Sequence, residues 1–146
     1  MAITTNAICN SFKKELLEAT HNFKTSGSGG NTFKLSMYTN SATLGKSTTS
    51  FTTGNEVSSS GYSSGGSALV NTGTSIATNT AITDFADLSF VGVTLTARGA
   101  LIYNDTASGD PAVAVLDFGG DKTATAGTFT IQFPAFTTSA AILRIA

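Results

Sequence analysis

His21 and Cys9 are the only histidine and the only cysteine of the chain, so any relay of nucleophile and base has to be assembled around them. A serine relay would need His21 as its base, and a reactive thiol needs a base or cation that lowers its pKa. Both residues fall in one amphipathic stretch, where the four-residue neighbours of Cys9 are Thr5 and Lys13. His21 stands near the end of that stretch, beside a glycine-rich run, where a helix C-terminus favours a cation. The placement predicts a small buried or half-buried thiol and a histidine acting as a cation near a helix C-terminus.

The carboxylates give two further candidates, Asp84 with Asp87 in ITDFADLSF and Asp105 with Asp110 in YNDTASGDP. Either pair could serve as loose calcium ligands or as an acid and base. Neither has the D-x-D-x-D-G frame of a calcium loop, nor a recognisable glycosidase segment, and turn initiation by aspartate accounts for them more simply. One cysteine permits no internal disulfide and no cysteine-based metal cluster. SGSGG at 26–30 imitates a phosphate loop, but it precedes a strand pattern and lacks the Gly-Lys-Ser/Thr ending. Asn104-Asp105-Thr106 is a chance glycosylation triplet in a chain whose start shows no secretion signal. The expectation is no catalytic residue, no cofactor and no metal.

The densest cluster of glycine and charge is GGDKTATAG at 119–127, between AVAVLDF at 112–118 and GTFTIQF at 127–133. The flanks read as two facing strands, with Phe129, Ile131 and Phe133 inward and Thr128, Thr130 and Gln132 outward. The polar run between them reads as a hairpin loop. Asp121 and Lys122 are then solvated at its tip, or in contact with a neighbouring subunit.

The elements that position these residues follow from periodicity. Residues 6–23 carry Ile8, Phe12, Leu16, Ala19 and Phe23 at helical spacing, predicting one helix capped by Thr5 or Asn6 and ended by TSGSGG. Beyond residue 31, short runs rich in β-branched and aromatic residues alternate with turn formers, predicting strands at 32–39, about 66–70, about 80–84, 91–103, 112–118, 127–133 and 139–145. In the first of these, Phe33, Leu35 and Met37 face the core, and Lys34, Ser36 and Tyr38 make a wet face. The apolar run after Gly99 places 91–103 centrally, with a bulge or close approach at that glycine. Residues 40–79 are rich in Ser, Thr and Gly, with Phe51, Val57, Tyr62 and Leu69 as isolated anchors. That segment is either a long ordered excursion or an arm that orders against a partner, and the anchors favour the first. The fold class is mainly β, an antiparallel β-sandwich of jelly-roll type with one N-terminal helix. Residues 1–30 form an arm, helix and Gly/Ser loop, and residues 31–146 the sandwich.

Composition narrows the function. A chain of 146 residues with net charge -1 and 12% charged residues has no basic stripe for nucleic acid and no acidic tail. No run approaches the roughly 18 apolar residues of a membrane span, so the expectation is a protein made soluble in the cytoplasm of the translating cell, with no nucleic-acid or membrane partner. The wet surface has to be supplied by hydroxyls and backbone, which suits neutral contacts with other protein. The absence of Trp weakens a sugar-stacking role.

CNSFKKELLEATHNF, TFKLSMYTNSATL, VTLTARGALIYND, AVAVLDFGGDKTATAGTFTIQFP and the closing AAILRIA together resemble a family of small structural proteins of tailed bacteriophages, over nearly the whole chain. The size and composition are similar to those of capsid decoration (cement) proteins, although the N-terminal helix departs from a bare jelly roll. The resemblance implies a virion protein bound to the major capsid protein and to copies of itself, as dimer or trimer, and it transfers no catalytic residue. The contacts expected for that role come from the N-terminal segment through Ile3, Ile8 and Phe12, from the excursion through Phe51 and Tyr62, and from Asp121 and Lys122. Removing residues 1–10 is then expected to abolish shell binding and leave the β-domain folded. Alternatives are a tail, collar or fibre component, or a receptor or glycan module using Tyr38, Tyr62 and Phe51 as exposed aromatics.

Overall fold

The computed structural model describes residues 3–146. In chain order the elements are β1 (Ala7–Ile8), α1 (Asn10–Leu17), β2 (Phe33–Tyr38), β3 (Ser67–Ala68), β4 (Asn71–Ala77), β5 (Thr80–Phe85), β6 (Leu88–Asn104), β7 (Ala112–Ile131) and β8 (Leu143–Ile145). The fold is mainly β. All pairings are antiparallel, in a larger sheet of order β1-β7-β6-β2-β3 and a smaller one of order β4-β5-β8. The two sheets make a sandwich-like arrangement with one helix.

β6 and β7 are the spine. From Gly99 to Asn104 every residue of β6 is buried, because β2 and β7 flank it and side chains pack on both faces. Gly99 is required there: a Cβ would stand 2.4 Å from the Leu116 carbonyl oxygen and 2.7 Å from Ile3 Cδ1. The register also shifts between Ala97 and Gly99, so the bulge and the close approach expected at this glycine coincide.

An aromatic cluster joins the sheets. Phe23 stacks on Phe33 of β2 with centroids 4.4 Å apart, Phe85 of β5 lies 5.8 Å from Phe33, and Phe133 lies 5.6 Å from Phe85. Such pairs contribute about 0.5–1.5 kcal/mol each beyond the area they bury. The small sheet is therefore anchored to the large one through Phe85.

Several expectations are corrected. The helix covers Asn10–Leu17 only, and Ala7–Ile8 pair as a strand with Val115 and Ala114. Cys9, in extended conformation, is the N-cap, whereas Asn6 accepts the Asp117 amide at 2.6 Å. The helix ends because Ala19 turns left-handed (φ 59), its N–H bonding Leu16 O and that of Thr20 bonding Glu15 O. That is a Schellman closure with alanine where glycine is usual, so no glycine marked the stop.

The expected wet face of β2 is covered: Ser36 and Tyr38 are fully buried, and only Lys34 is partly exposed. The covering chain is the 50–62 part of the excursion, through a Tyr38–Glu56 bridge, Val57 N–H to Met37 O, and Tyr38 Oη donating to Thr52 O at 2.6 Å. Val57, Tyr62 and Leu69 are buried, and Phe51 stacks on Tyr103 at 4.7 Å. NTGTSIA, within the Ser/Thr/Gly-rich 40–79 segment, forms β4. At the C-terminus only Leu143–Ile145 of the expected 139–145 strand is paired.

GGDKTATAG is not a hairpin loop. It is part of β7, with Lys122, Thr123 and Ala124 opposite Ala97, Thr96 and Leu95. Its two flanks pair with β6 rather than with each other. Left-handed residues at Gly92, Gly119 and Ala126, and register shifts around Val93, bend the β6–β7 ribbon. The bend is sharp enough to bring Phe118 and Phe129 to 5.9 Å between centroids. Phe129, Ile131 and Phe133 do point inward, and Thr128, Thr130 and Gln132 outward.

Candidate functional site

His21 is the centre of a buried polar chain. Its side chain is fully shielded, with Nε2 2.7 Å from Glu15 Oε2 and Nδ1 3.1 Å from Asn104 Nδ2. Asn104 Oδ1 accepts the amides of Thr106 and Ala107, which fixes its Nδ2 as the donor, both to His21 and to Asn31 Oδ1 at 2.9 Å. His21 Nδ1 is thereby an acceptor, and Nε2 carries the proton donated to Glu15. Phe12, at 4.9 Å, and Phe33, at 6.2 Å, enclose the ring. In place of the cation expected near a helix C-terminus, His21 forms an internal clip from α1 to the end of β6.

Cys9 is fully buried. Burial pushes its thiol up to about 11, and the Glu15 charge adds to the rise, so it lacks the thiolate character of a nucleophile. The four aspartates do not converge. Asp105 pairs with Lys34 at 3.1 Å, Asp87 accepts the Phe133 amide at 2.8 Å, and Asp110 sits in a left-handed turn before Pro111. Asp84 corrects the turn reading, since it is a buried residue of β5. Its Oδ1 accepts the Phe85 amide at 2.9 Å, and burial raises its pKa above the usual carboxylate value. No group of three or more His, Cys, Asp or Glu gathers as metal ligands among the described residues.

The most extensively bonded carboxylate is Glu56, which sequence reasoning passed over. Oε1 accepts from Tyr62 Oη at 2.8 Å and from the Gly65 amide at 2.7 Å, and Oε2 accepts from Ser64 Oγ at 2.7 Å. Tyr62 Oη in turn accepts the Met37 amide at 2.9 Å. Glu56 thus ties the excursion to β2. Burial raises the phenols of Tyr38, to about 12, and of Tyr62 and Tyr103 further. The available signal was that Glu56 is the one charged residue between Lys46 and Asp84.

The surface carries hydroxyls. On the outer face of the β6–β7 ribbon, Ser89 meets Thr130 at 2.9 Å and Thr96 meets Thr123 at 2.8 Å, all four exposed. Beside it the bend of β7 opens a groove of about 560 Å³, lined by Phe118, Phe129, Ile131 and Ile142 together with Asp117 and Lys122. Among the described residues no helix is long and apolar enough to cross a membrane.

Of the residues expected at an interface, Asp121 and Lys122 are exposed, and Ile8 and Phe51 are half-buried. Ile3, Phe12 and Tyr62 are core residues. The N-terminal segment is built into the fold through Ile3, β1 and Cys9, so removing residues 1–10 would open the core and would not isolate a binding arm. Tyr38 and Tyr62 are buried, and Phe51 is engaged with Tyr103, so these three do not form an exposed aromatic platform. No protein-family model matches the chain, no curated protein matches it, and no solved structure matches it.

Proposed function

We propose that this chain is a non-enzymatic structural protein of a tailed-phage virion, bound to the capsid as a decoration protein. One observation carries the reading: the lone histidine and the most extensively bonded carboxylate, Glu56, are engaged in internal clips, while the outer ribbon face presents paired hydroxyls. Glu15, His21, Asn104 and Asn31 hold the helix to β6, and Glu56 holds the excursion to β2. A surface of this kind adheres by shape and hydrogen bonds, and repetition on a symmetric shell makes a modest contact per copy sufficient. The sequence resemblance to phage structural proteins supports the same role.

The test is co-sedimentation of the purified chain with capsids lacking it, at low and high salt. Saturable binding that changes little with ionic strength is expected, since few charges take part. Absence of binding, or binding abolished by moderate salt, contradicts the proposal.

A further inference from the structure

The sheet edges of this molecule differ in how they are protected. An open strand edge invites another strand, and proteins blunt such edges by shortness, charge, bulges or cover. In the larger sheet the outer strands β1 and β3 have two residues each. β7 runs on unpaired beyond Val115 on its outer side, but there it carries Asp117, Asp121 and Lys122, and the ribbon is bulged and bent. In the smaller sheet, β8 has three residues and places Arg144 at its centre. Before Gly99 the outer side of β6 has residues 60 and 61 against it, Thr94 N–H bonding Ser60 O. β4 differs. Its start is covered, since Asn71 bonds Ser26 and Gly73 lies under Thr25, but Thr74, Ser75, Ile76 and Ala77 are exposed with no charge, proline or bulge among them.

The adjoining surface is apolar. Ile76 is opposite Ala81, and Ala81 is opposite Ile145, so the three side chains form one row across the sheet. Ile76 is 71% and Ile145 62% exposed. The chain has no charged residue from 57 to 83.

We propose that the β4 edge at Thr74–Ala77 pairs antiparallel with the same edge of a second copy, joining two small sheets into one continuous sheet across a twofold axis. The partner is a second copy because the edge matches itself electrostatically. Antiparallel self-pairing sets neutral Thr, Ser, Ile and Ala against one another in any register, whereas a charged peptide would find no countercharge. A twofold contact of this kind closes after two copies and leaves no further β4 edge open. The inference names the self-contact surface of the assembly reading above, and in its biological setting rests on that reading.

Sedimentation velocity of the free full-length chain over a concentration series tests it. The wild type is expected to form a dimer, and Ile76→Lys and Ser75→Lys, on opposite faces of the same edge, are expected to halve the mass with unchanged circular dichroism and melting temperature. Leu17→Lys, at a residue 90% exposed on the helix, should remain dimeric. Should one lysine variant fail to fold, amide exchange of the wild type supplies the answer: exchange at Thr74–Ala77 should slow as concentration rises. A wild type that stays monomeric, folded variants that stay dimeric, or exchange indifferent to concentration overturns the proposal. Capsid co-sedimentation separates the two ideas. A monomer that binds capsids removes the edge contact alone, and a dimer that ignores them removes the decoration reading alone.

Discussion

In the larger sheet, β6 from Gly99 to Asn104 is buried on both faces, and the second face of β2 is closed by an excursion pinned at Glu56. In the smaller sheet, β5 is anchored by Phe85, yet Ile76 and Ile145 face solvent and the Asp84 carboxylate lies buried. Both regions come from the same low-charge, hydroxyl-rich chain. The difference shows where loop sequence serves as cover: residues 50–62 add a layer to the large sheet, and among the described residues nothing comparable lies over the outer half of β4. Buried packing is concentrated in the first region, and exposed apolar surface in the second.

The contrast is sharpest for apolar truncation. Phe33→Ala removes the centre of the ring cluster joining the sheets, and is expected to destabilise by about 3–5 kcal/mol in urea unfolding. Ile76→Ala should change monomer stability by no more than about 0.5 kcal/mol. Comparable losses at the two positions would erase the distinction between the regions.

A smaller effect is expected from the cover itself. Glu56→Ala leaves Tyr62, Ser64 and the Gly65 amide without their acceptor, costing about 1.5–3 kcal/mol for hydrogen bonds to a charged group. Limited proteolysis should then cut within 50–66 before any strand. A variant as protease-resistant as the wild type would mean that the excursion is held by its apolar anchors alone.

Asp84 gives the finest test. Burial raises its pKa from 3.8, so between that value and the raised native value the folded state binds more protons than the unfolded one. Its contribution to stability therefore falls as pH rises through that window, and is least favourable at neutral pH. Asp84→Asn is expected to raise the melting temperature at pH 7, with the gain disappearing below pH 3.8. A gain that persists in acid would locate the effect elsewhere than in the carboxylate.

Much of the architecture was legible where local pattern and burial agree. The alternation of Phe33, Leu35 and Met37, the two-faced apolar run after Gly99, and the inward Phe129, Ile131 and Phe133 all reported their positions. Long-range partners were not legible. Ser36 and Tyr38 looked solvent-facing because nothing local shows that residues 50–57 lie over them. GGDKTATAG looked like a turn because its pairing depends on β6, some 25 residues earlier in the register of Ala97 with Lys122. NTGTSIA has the composition of a loop and becomes β4 only beside β5. For the candidate site, the buried Cys9 was readable, but the acceptor role of His21 set by Asn104, 83 residues away, and the Glu56 clip were not.

The most direct measurement for the account as a whole is the copy number of this protein in purified particles, by quantitative mass spectrometry against the major capsid protein. A ratio near one to one or one to three is the predicted result, placing the protein at every capsomer or every joint. A few copies per hundred would assign it to the tail or collar, and its absence from particles would contradict the virion reading altogether.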